Sequence, residues 1–586
     1  MKQFLKTTLA VIVGVLIASI ISTLIFIGII GAIISSGEGV TVLRPNSVYR
    51  LDLRGTLVER ASDSSPLDML TARLMGGGQA IGLDQILANI QKAKTNDNIV
   101  GIYLNIGSFS AGQASVTEIR NALLEFRESG KFVVAYADHY SQRMFYLASV
   151  ADYVILNPVG AVSFRGLAST FVSFRNLLDN IGVEMQIVKV GEFKSASEPF
   201  TEIRMSDANR EQVTVFVNST WNNMLNAISV SRGISVEELN RIADNVLDFR
   251  GAQQALDYRM VDKLMYQSEV EDFIKTLIGD TGRREPAFVR HSAMNNVPTG
   301  ERFNRTRIAV IYAVGAIDMS ENEGIVSRRL VRTINQVAED DNIKAVVLRI
   351  NSPGGSAFGS EQIWHALTEL RERKPLIISM GDLAASGGYW IAAAGDKILA
   401  QPNTLTGSIG VFGQIPNTAG LARRVGLNFD VVKTNRMSDG VITGYRAFTP
   451  EERLLVQYFV NQTYDLFLYR IADCRGMELE QVKALADGRV WTGECALALG
   501  LVDEIGGIDR AIVIAAERAE IENFTVVRFP EQEDFMTLLL RSMSGDLESR
   551  VLRARLGSHY ETFRRISDIR YMNGVFALMP FGLNVY

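Results

Sequence analysis

Thr406-Gly407-Ser408-Ile409-Gly410 closes a strand-and-turn stretch that the chain has already written once, 244 positions earlier, with the serine missing. Subtracting 244 carries Asp341-Asn342-Ile343 onto Asp97-Asn98-Ile99, Asp396 onto Asp152, Pro402 onto Pro158, Gly410 onto Gly166 and Lys433 onto Lys189. The one offset holds without a gap from about 97–194 against 341–438. A fixed long period of this kind marks an internal duplication. It also separates shared scaffold from residues peculiar to one copy. Ser408 falls on Phe164, and Lys194, in Phe193-Lys194-Ser195, falls on Ser438. Each copy holds one reactive residue and lacks the other, which predicts a single active site divided between two halves.

Within each copy, helical and strand patterns alternate. In the second, Ala345-Val346-Val347-Leu348-Arg349-Ile350 reads as a buried strand running into Asn351-Ser352-Pro353-Gly354-Gly355. A helix over Glu361–Arg373 follows, then a strand at Leu376–Ser379, a helix opened by Gly387-Gly388-Tyr389, and a strand at Lys397–Ala400. Strands separated by helices of this length imply βαβ units and a mainly parallel sheet, so the fold class is α/β. Val48–Leu53 into Gly55 and Val310–Val314 into Gly315 are a further matched pair, offset by 260, so an indel precedes the gapless region. Residues 62–80 read as a mobile loop.

The organisation expected is 1–40 for a short N-terminus and anchor, 45–280 for the first copy, 281–306 for a Gly-, Arg-, Pro- and Asn-containing linker, 307–528 for the second copy, and 529–586 for a charged, amphipathic helical extension with an apolar end. At 586 residues, 47% hydrophobic and 21% charged, the chain is an ordinary globular sequence too long for one core. A net charge of −5 and no aromatic-interleaved basic patch argue against nucleic acid. Cys474 and Cys495 are too few for a disulfide framework or a thiolate metal cluster.

Leu9–Ile34 is uncharged and rich in Ile, Leu, Val, Ala and Gly. As a helix at ~1.5 Å per residue it would reach ~39 Å, enough to cross a ~30 Å hydrocarbon core. Lys2 and Lys6 precede it and Glu38 is the first charge after it, which predicts a cytoplasmic N-terminus and an outward-facing body. The segment exceeds the ~7–15 apolar residues of a cleavable signal peptide, so an anchor contacting the bilayer through residues 9–34 is expected.

Hydrolysis needs a nucleophile, a base and donors for the developing oxyanion. The four histidines, His139, His291, His365 and His559, stand outside Gly-flanked loops at strand ends. A lysine serves as base if it is desolvated. Lowering its pKa from ~10.4 to ~7 takes roughly 4.6 kcal/mol at about 1.36 kcal/mol per unit. Lys194 has Phe193 and Phe200 nearby, but Glu192 and Glu198 must point away for it to act; otherwise it is a surface lysine beside two carboxylates. Ser408 fits either a nucleophile or a tight turn, and Ser386, in Ala385-Ser386-Gly387-Gly388, either a nucleophile or an N-cap. Asn351–Gly355 can aim backbone N–H groups at an anion but lacks the Gly-Lys-Ser/Thr ending of a phosphate loop.

Taken together, Asn351–Gly355, Asp382–Tyr389, Thr406–Gly410 and Phe193–Phe200, with the anchor and the duplication, resemble the signal peptide peptidase A (protease IV) family, membrane-anchored Ser/Lys peptidases related in fold to Clp protease and the crotonases. The resemblance is to the long, duplicated Gram-negative form. It implies two tandem Clp protease/crotonase-like domains behind one transmembrane helix, with Ser408 as nucleophile and Lys194 as general base. It leaves Ser386 a structural or supporting role. The oxyanion donors expected are the N–H of Ile409 with one from Gly355 or from the Gly381-Asp382 turn, where similar enzymes often carry a second glycine. The family further implies a homotetramer at the inner membrane with its body on the periplasmic side. Its substrates would be remnant signal peptides and other apolar peptides, with no metal, nucleotide or other cofactor required. Two other readings use the same features: a crotonase-like acyl-CoA enzyme, which the outward-facing anchor disfavours, and a non-catalytic tethered scaffold.

Overall fold

The computed structural model describes residues 40–61, 80–279, 286–298, 304–320, 324–440, 443–531, 574–579 and 584–585, together with residues 6, 8 and 13–22. Most of the anchor segment 9–34, nearly all of the loop 62–80 and much of 529–586 therefore lie outside the described residues, with residues 13–22 described as helix. Among the described residues no helix is long and apolar enough to cross a membrane.

Each copy builds a parallel sheet from its β-branched runs. In the first, Ser47–Val58, Ile99–Ser110, Phe132–Tyr140 and Tyr153–Val162 lie side by side. In the second, Arg307–Val314, Ile343–Ser352 and Leu376–Ala385 repeat the arrangement, with Thr525–Phe529 on the outer edge. The helices repeat too: Gln113–Arg127 matches Ala357–Arg371 at the 244 offset. Asp207–Arg232 and Pro450–Arg475 each run 26 residues. The second of these starts at a reciprocal cap between Thr449 and Glu452, with Pro450 at its first turn, and both stop at a left-handed glycine, Gly233 or Gly476. Even one ion-pair brace recurs. Arg232 grips Asp262, whose carboxylate accepts the Val154 N–H, and Arg475 grips Asp503, which accepts the Ile398 N–H.

The segment 281–306 departs from a simple linker. Phe288–Arg290 pairs with Ser47–Val58, and His291–Asn295 follows as a short helix. His291 is held there by the Tyr49 hydroxyl at 2.7 Å, an interaction invisible to local composition. The described end of the expected helical extension is also a strand, Gly574–Leu578. Its β-branched and aromatic residues meet two sheet edges whose backbone groups need partners.

The two copies share one interior. Val310 and Val347 of the second sheet belong to the same buried cluster as Ile119 and Leu123 of the first copy. At this junction Arg349, fully buried, donates to Glu59 at 2.8 Å and to Glu118 at 2.6 Å, both from the first copy, and to Ser379 at 2.9 Å. Asp382 crosses the same junction, accepting the Ser115 N–H at 3.1 Å and its hydroxyl at 2.6 Å.

A third sheet is antiparallel and joins the copies directly. Val411–Asn417, the strand leaving Ser408, pairs with Glu184–Val190, the strand leading to Lys194, over seven positions from Val411↔Val190 to Asn417↔Glu184. By the duplication these strands are not counterparts of each other, so the pairing breaks the symmetry of the repeat.

The Arg349 junction makes a definite stability prediction. Arg349→Leu leaves two buried carboxylates without their cation and should cost about 3–5 kcal/mol. Denaturant unfolding reads this directly, and a loss below about 1 kcal/mol, the range of an exposed ion pair, would contradict the assignment.

Candidate active site

The antiparallel ladder between the copies ends at Val411 and Val190, and each strand then turns inward. Gly191 makes its turn at φ 104°, where a Cβ would press on the Asp487 backbone. Asp487 fixes the two residues after that turn, accepting the Glu192 N–H through its side chain and the Phe193 N–H through its carbonyl. On the other strand Ser408 sits at φ 50°, a left-handed conformation uncommon for serine, and its N–H donates to the Arg489 carbonyl at 2.6 Å. The same 487–490 loop therefore pins both turns.

Lys194 and Ser408 meet as a consequence. The lysine Nζ lies 3.1 Å from Ser408 Oγ, 2.9 Å from the Ser408 carbonyl oxygen and 2.7 Å from Ser386 Oγ, and all three residues are fully buried. Burial drives the Lys194 pKa well below its ordinary value, and among the described residues no carboxylate opposes the shift. The two glutamates do point away. Glu192 is exposed, while the Glu198 carboxylate is engaged by the Ser206 hydroxyl at 2.6 Å and the Asn209 amide at 2.8 Å. Two glycines give the lysine its space: a Cβ on Gly410 would stand 3.2 Å from Lys194 Cδ, and one on Gly488 2.6 Å from the Lys194 backbone nitrogen.

Ser386 is no N-cap. At φ 57°, ψ −115° its side chain makes no capping bond and instead meets the lysine. The 244 subtraction carries Ser386 onto Gln142, so the rule that singles out Ser408 and Lys194 contained this signal as well. Gln212, buried on helix Asp207–Arg232, left no local signal. Its amide donates to the Phe193 carbonyl at 3.0 Å and to Ser195 Oγ at 2.9 Å, and its oxygen accepts the Val490 N–H at 3.1 Å. It thus ties the lysine turn of one copy to the loop that pins the serine of the other.

The expected oxyanion residues divide. Ile409 follows Ser408 directly, its side chain buried, and among the described residues its N–H has no backbone partner. Gly355 lies opposite Ala577 in an antiparallel ladder with Gly574–Leu578, so its N–H faces that strand. Asp382 is not brought to the site. It precedes Leu383, which pairs with Leu405, and so stands near the register of Thr404, four residues along the sheet from Ser408. At roughly 3.3 Å per residue that separation is about 13 Å. Its carboxylate is spent on Ser115, which explains why an aspartate is accommodated there.

The counterpart positions take other roles. Phe164 is buried edge-on to Phe145 and tilted against Trp221, filling the space of a site, and Ser438 lies exposed on a surface turn. His139 contacts Ser163 at 3.0 Å in the first copy, His291 lies against Tyr49, His365 faces Glu369, and His559 falls outside the described residues. Cys474 and Cys495 are free thiols. Among the described residues no group of three or more His, Cys, Asp or Glu side chains could hold a metal ion. The arrangement is suited to a serine hydroxyl activated by a desolvated amine.

Comparison with known proteins agrees with this geometry. The family model "Peptidase family S49" matches twice, over residues 125–279 and 368–522, and the Clp protease model matches residues 302–406. Protease 4 of Salmonella typhi is 36% identical over 517 residues, covering 85% of this chain and 82% of the relative. The chloroplastic serine protease SPPA of Arabidopsis thaliana is 31% identical, covering 82% of this chain and 70% of that one. Protease 4 of Haemophilus influenzae is 30% identical, covering 87% and 86%. The two S49 matches begin at 125 and 368, nearly the spacing of the internal repeat. The chain therefore belongs to peptidase family S49 and carries two copies of that family's domain in one polypeptide.

Proposed function

We propose that this serine protease is a membrane-anchored endopeptidase in which Ser408 is the nucleophile and Lys194 the general base, acting on remnant signal peptides and other apolar peptides. One observation carries the reading: the buried amine of Lys194 lies 3.1 Å from Ser408 Oγ, and its hydrogen-bond partners among the described residues are hydroxyl and carbonyl oxygens. Because burial disfavours the ammonium, the neutral amine becomes available at a lower pH than in a free lysine. That amine takes the Ser408 proton as Oγ attacks the scissile carbonyl carbon. The resulting oxyanion is received by the Ile409 N–H. The protonated lysine then gives its proton to the leaving amine as the C–N bond breaks, leaving an ester on Ser408. Water, deprotonated by the same lysine, cleaves the ester and restores the serine. Ser386 orients the amine through the cycle.

The uncharged segment 9–34 supports anchoring in the inner membrane with the body outside, on the periplasmic side. The apolar clusters that flank the dyad, with Ala196, Phe412 and Phe200 on one side and Leu383, Ala385, Leu405 and Val490 on the other, suit apolar substrates. Exposed apolar residues such as Leu454, Tyr458 and Phe459 on helix Pro450–Arg475 suit a homotetrameric assembly.

The dyad reading is tested by peptide hydrolysis. Lys194→Ala, Ser408→Ala and the double variant should fall to one residual rate, because the two groups share one step. Lys194→Arg should also fail, since a guanidinium keeps its proton. Wild-type activity should rise with pH through an apparent pKa below that of a free lysine. Substantial activity in Lys194→Ala, or single losses that simply add, would defeat the reading.

Stability provides a second test. A base whose pKa is lowered on folding contributes stability above its unfolded pKa that is lost as pH falls toward the folded value. Relative to Lys194→Met, the wild-type protein should therefore lose stability as pH is lowered from ~10.4, the unfolded lysine value, toward neutral. A stability difference constant over that range would show that the lysine is not desolvated.

A further inference from the structure

One side chain bonds to the supports of both dyad residues. Gln212 stands in the second turn of helix Asp207–Arg232 and is buried. Its amide nitrogen donates to the Phe193 carbonyl at 3.0 Å and to Ser195 Oγ at 2.9 Å, the residues immediately before and after Lys194. Its amide oxygen accepts the Val490 N–H at 3.1 Å. Val490 pairs with Gly407, and the neighbouring Arg489 carbonyl accepts the Ser408 N–H. The oxygen and nitrogen of an amide have a fixed separation, so one rigid group spans the gap between the lysine turn and the loop that pins the serine.

Gln212 is itself held in place. Its nitrogen also reaches Asn209 Oδ1 at 3.2 Å, and Asn209 donates to Glu198 at 2.8 Å. Glu198 further accepts the hydroxyl of Ser206, the cap of the same helix, at 2.6 Å. The stretch from Phe193 to Glu198 is therefore tied at both ends to one helix N-terminus, with Lys194 between the ties. Subtracting 243 carries the second copy's helix Pro450–Arg475 onto Asp207–Arg232 and its cap Thr449 onto Ser206. The same subtraction carries Leu455, an exposed residue, onto Gln212. The cap is shared and the glutamine is not, which is the distribution that singles out Lys194 and Ser408.

We propose that Gln212 is a positioning residue for the dyad, a gauge that holds the Lys194 amine in bonding range of Ser408 Oγ. The proposal rests on the peptidase reading above. Removing the amide leaves the Phe193 carbonyl, the Ser195 hydroxyl and the Val490 N–H without this partner, and buried polar groups in that state draw in water or shift. Either change returns hydration to the lysine and so favours its ammonium form. The charged groups on the elements packed here are turned to other partners or to solvent. Lys189, Glu192, Asp207 and Arg210 are exposed, and Glu198 is bound by Ser206 and Asn209. The Asp487 carboxylate accepts the Glu192 N–H, and Arg489 pairs with Glu211 at 2.8 Å.

The test compares full-length wild type, Gln212→Met, Ser195→Ala and Ser408→Ala on a fluorogenic apolar peptide across a pH series. In Gln212→Met, kcat at neutral pH should fall about 10- to 100-fold, the cost of a misplaced catalytic group. KM should stay near the wild-type value, because the amide contacts the lysine turn and the 490 backbone. The midpoint of the rise of kcat with pH should move upward, toward that of an ordinary lysine. Ser195→Ala, which removes one acceptor and keeps the amide, should move the midpoint the same way by less. A Gln212→Met midpoint at the wild-type value would overturn the proposal even if kcat falls, since that is the signature of a general loss of structure. Where Gln212→Met fails to fold, an unmoved midpoint in Ser195→Ala overturns it instead. Either result, with hydrolysis still abolished by Ser408→Ala, leaves the peptidase reading intact, whereas hydrolysis that survives Ser408→Ala would overturn both together.

Discussion

Everything at the site depends on one antiparallel ladder, the pairing of Val411–Asn417 with Glu184–Val190. A strand leaving the serine in the second copy and a strand arriving at the lysine in the first run against each other for seven positions, then turn together. Two residues 214 positions apart are thereby brought within 3.1 Å. Because the paired strands come from different halves of the duplication, neither copy alone can complete the dyad. At the counterpart positions Phe164 packs in the interior and Ser438 faces solvent, so neither repeats the pair.

Holding a lysine in such a place opposes folding, since a buried amine without a carboxylate partner loses its hydration and gains only hydroxyl and carbonyl contacts. The surroundings offset this in two ways. The copies are joined by a common apolar interior and by the Glu59–Arg349–Glu118 cluster, so the halves resist moving apart. Closer in, Asp487, Arg489 and Gln212 fix the backbone of both turns, so the amine is positioned by structure rather than by a counter-ion. A counter-ion would hold it equally well, but it would also keep the proton that the chemistry needs removed.

Much of this was legible in the sequence because duplication is a comparison the chain makes with itself. The offset of 244 recovers the matched helices Gln113–Arg127 and Ala357–Arg371, and it isolates Ser408 and Lys194 as unshared. Used more strictly it would have done better still. Asp382 falls on Asp138, a residue present in both copies, and the structure assigns Asp382 to the junction rather than to the oxyanion site. Ser386 falls on Gln142, unshared, and it touches the lysine. What stayed hidden were pairings between distant segments. No local pattern around His291 announces its bond to Tyr49, and nothing in Gly574–Leu578 names the two strands that flank it. Such contacts are decided by which edges the finished fold leaves open.

The central claim is that Ser408 is reactive because Lys194 reaches it from the other copy. Fluorophosphonate labelling, mapped by mass spectrometry across a pH series, reads the nucleophilicity of that one hydroxyl without any substrate. The account predicts modification at Ser408 alone, accelerating as pH rises in the wild-type protein and falling to background in Lys194→Ala. Equal labelling of Ser408 with and without the lysine, or modification of a different serine, would contradict it.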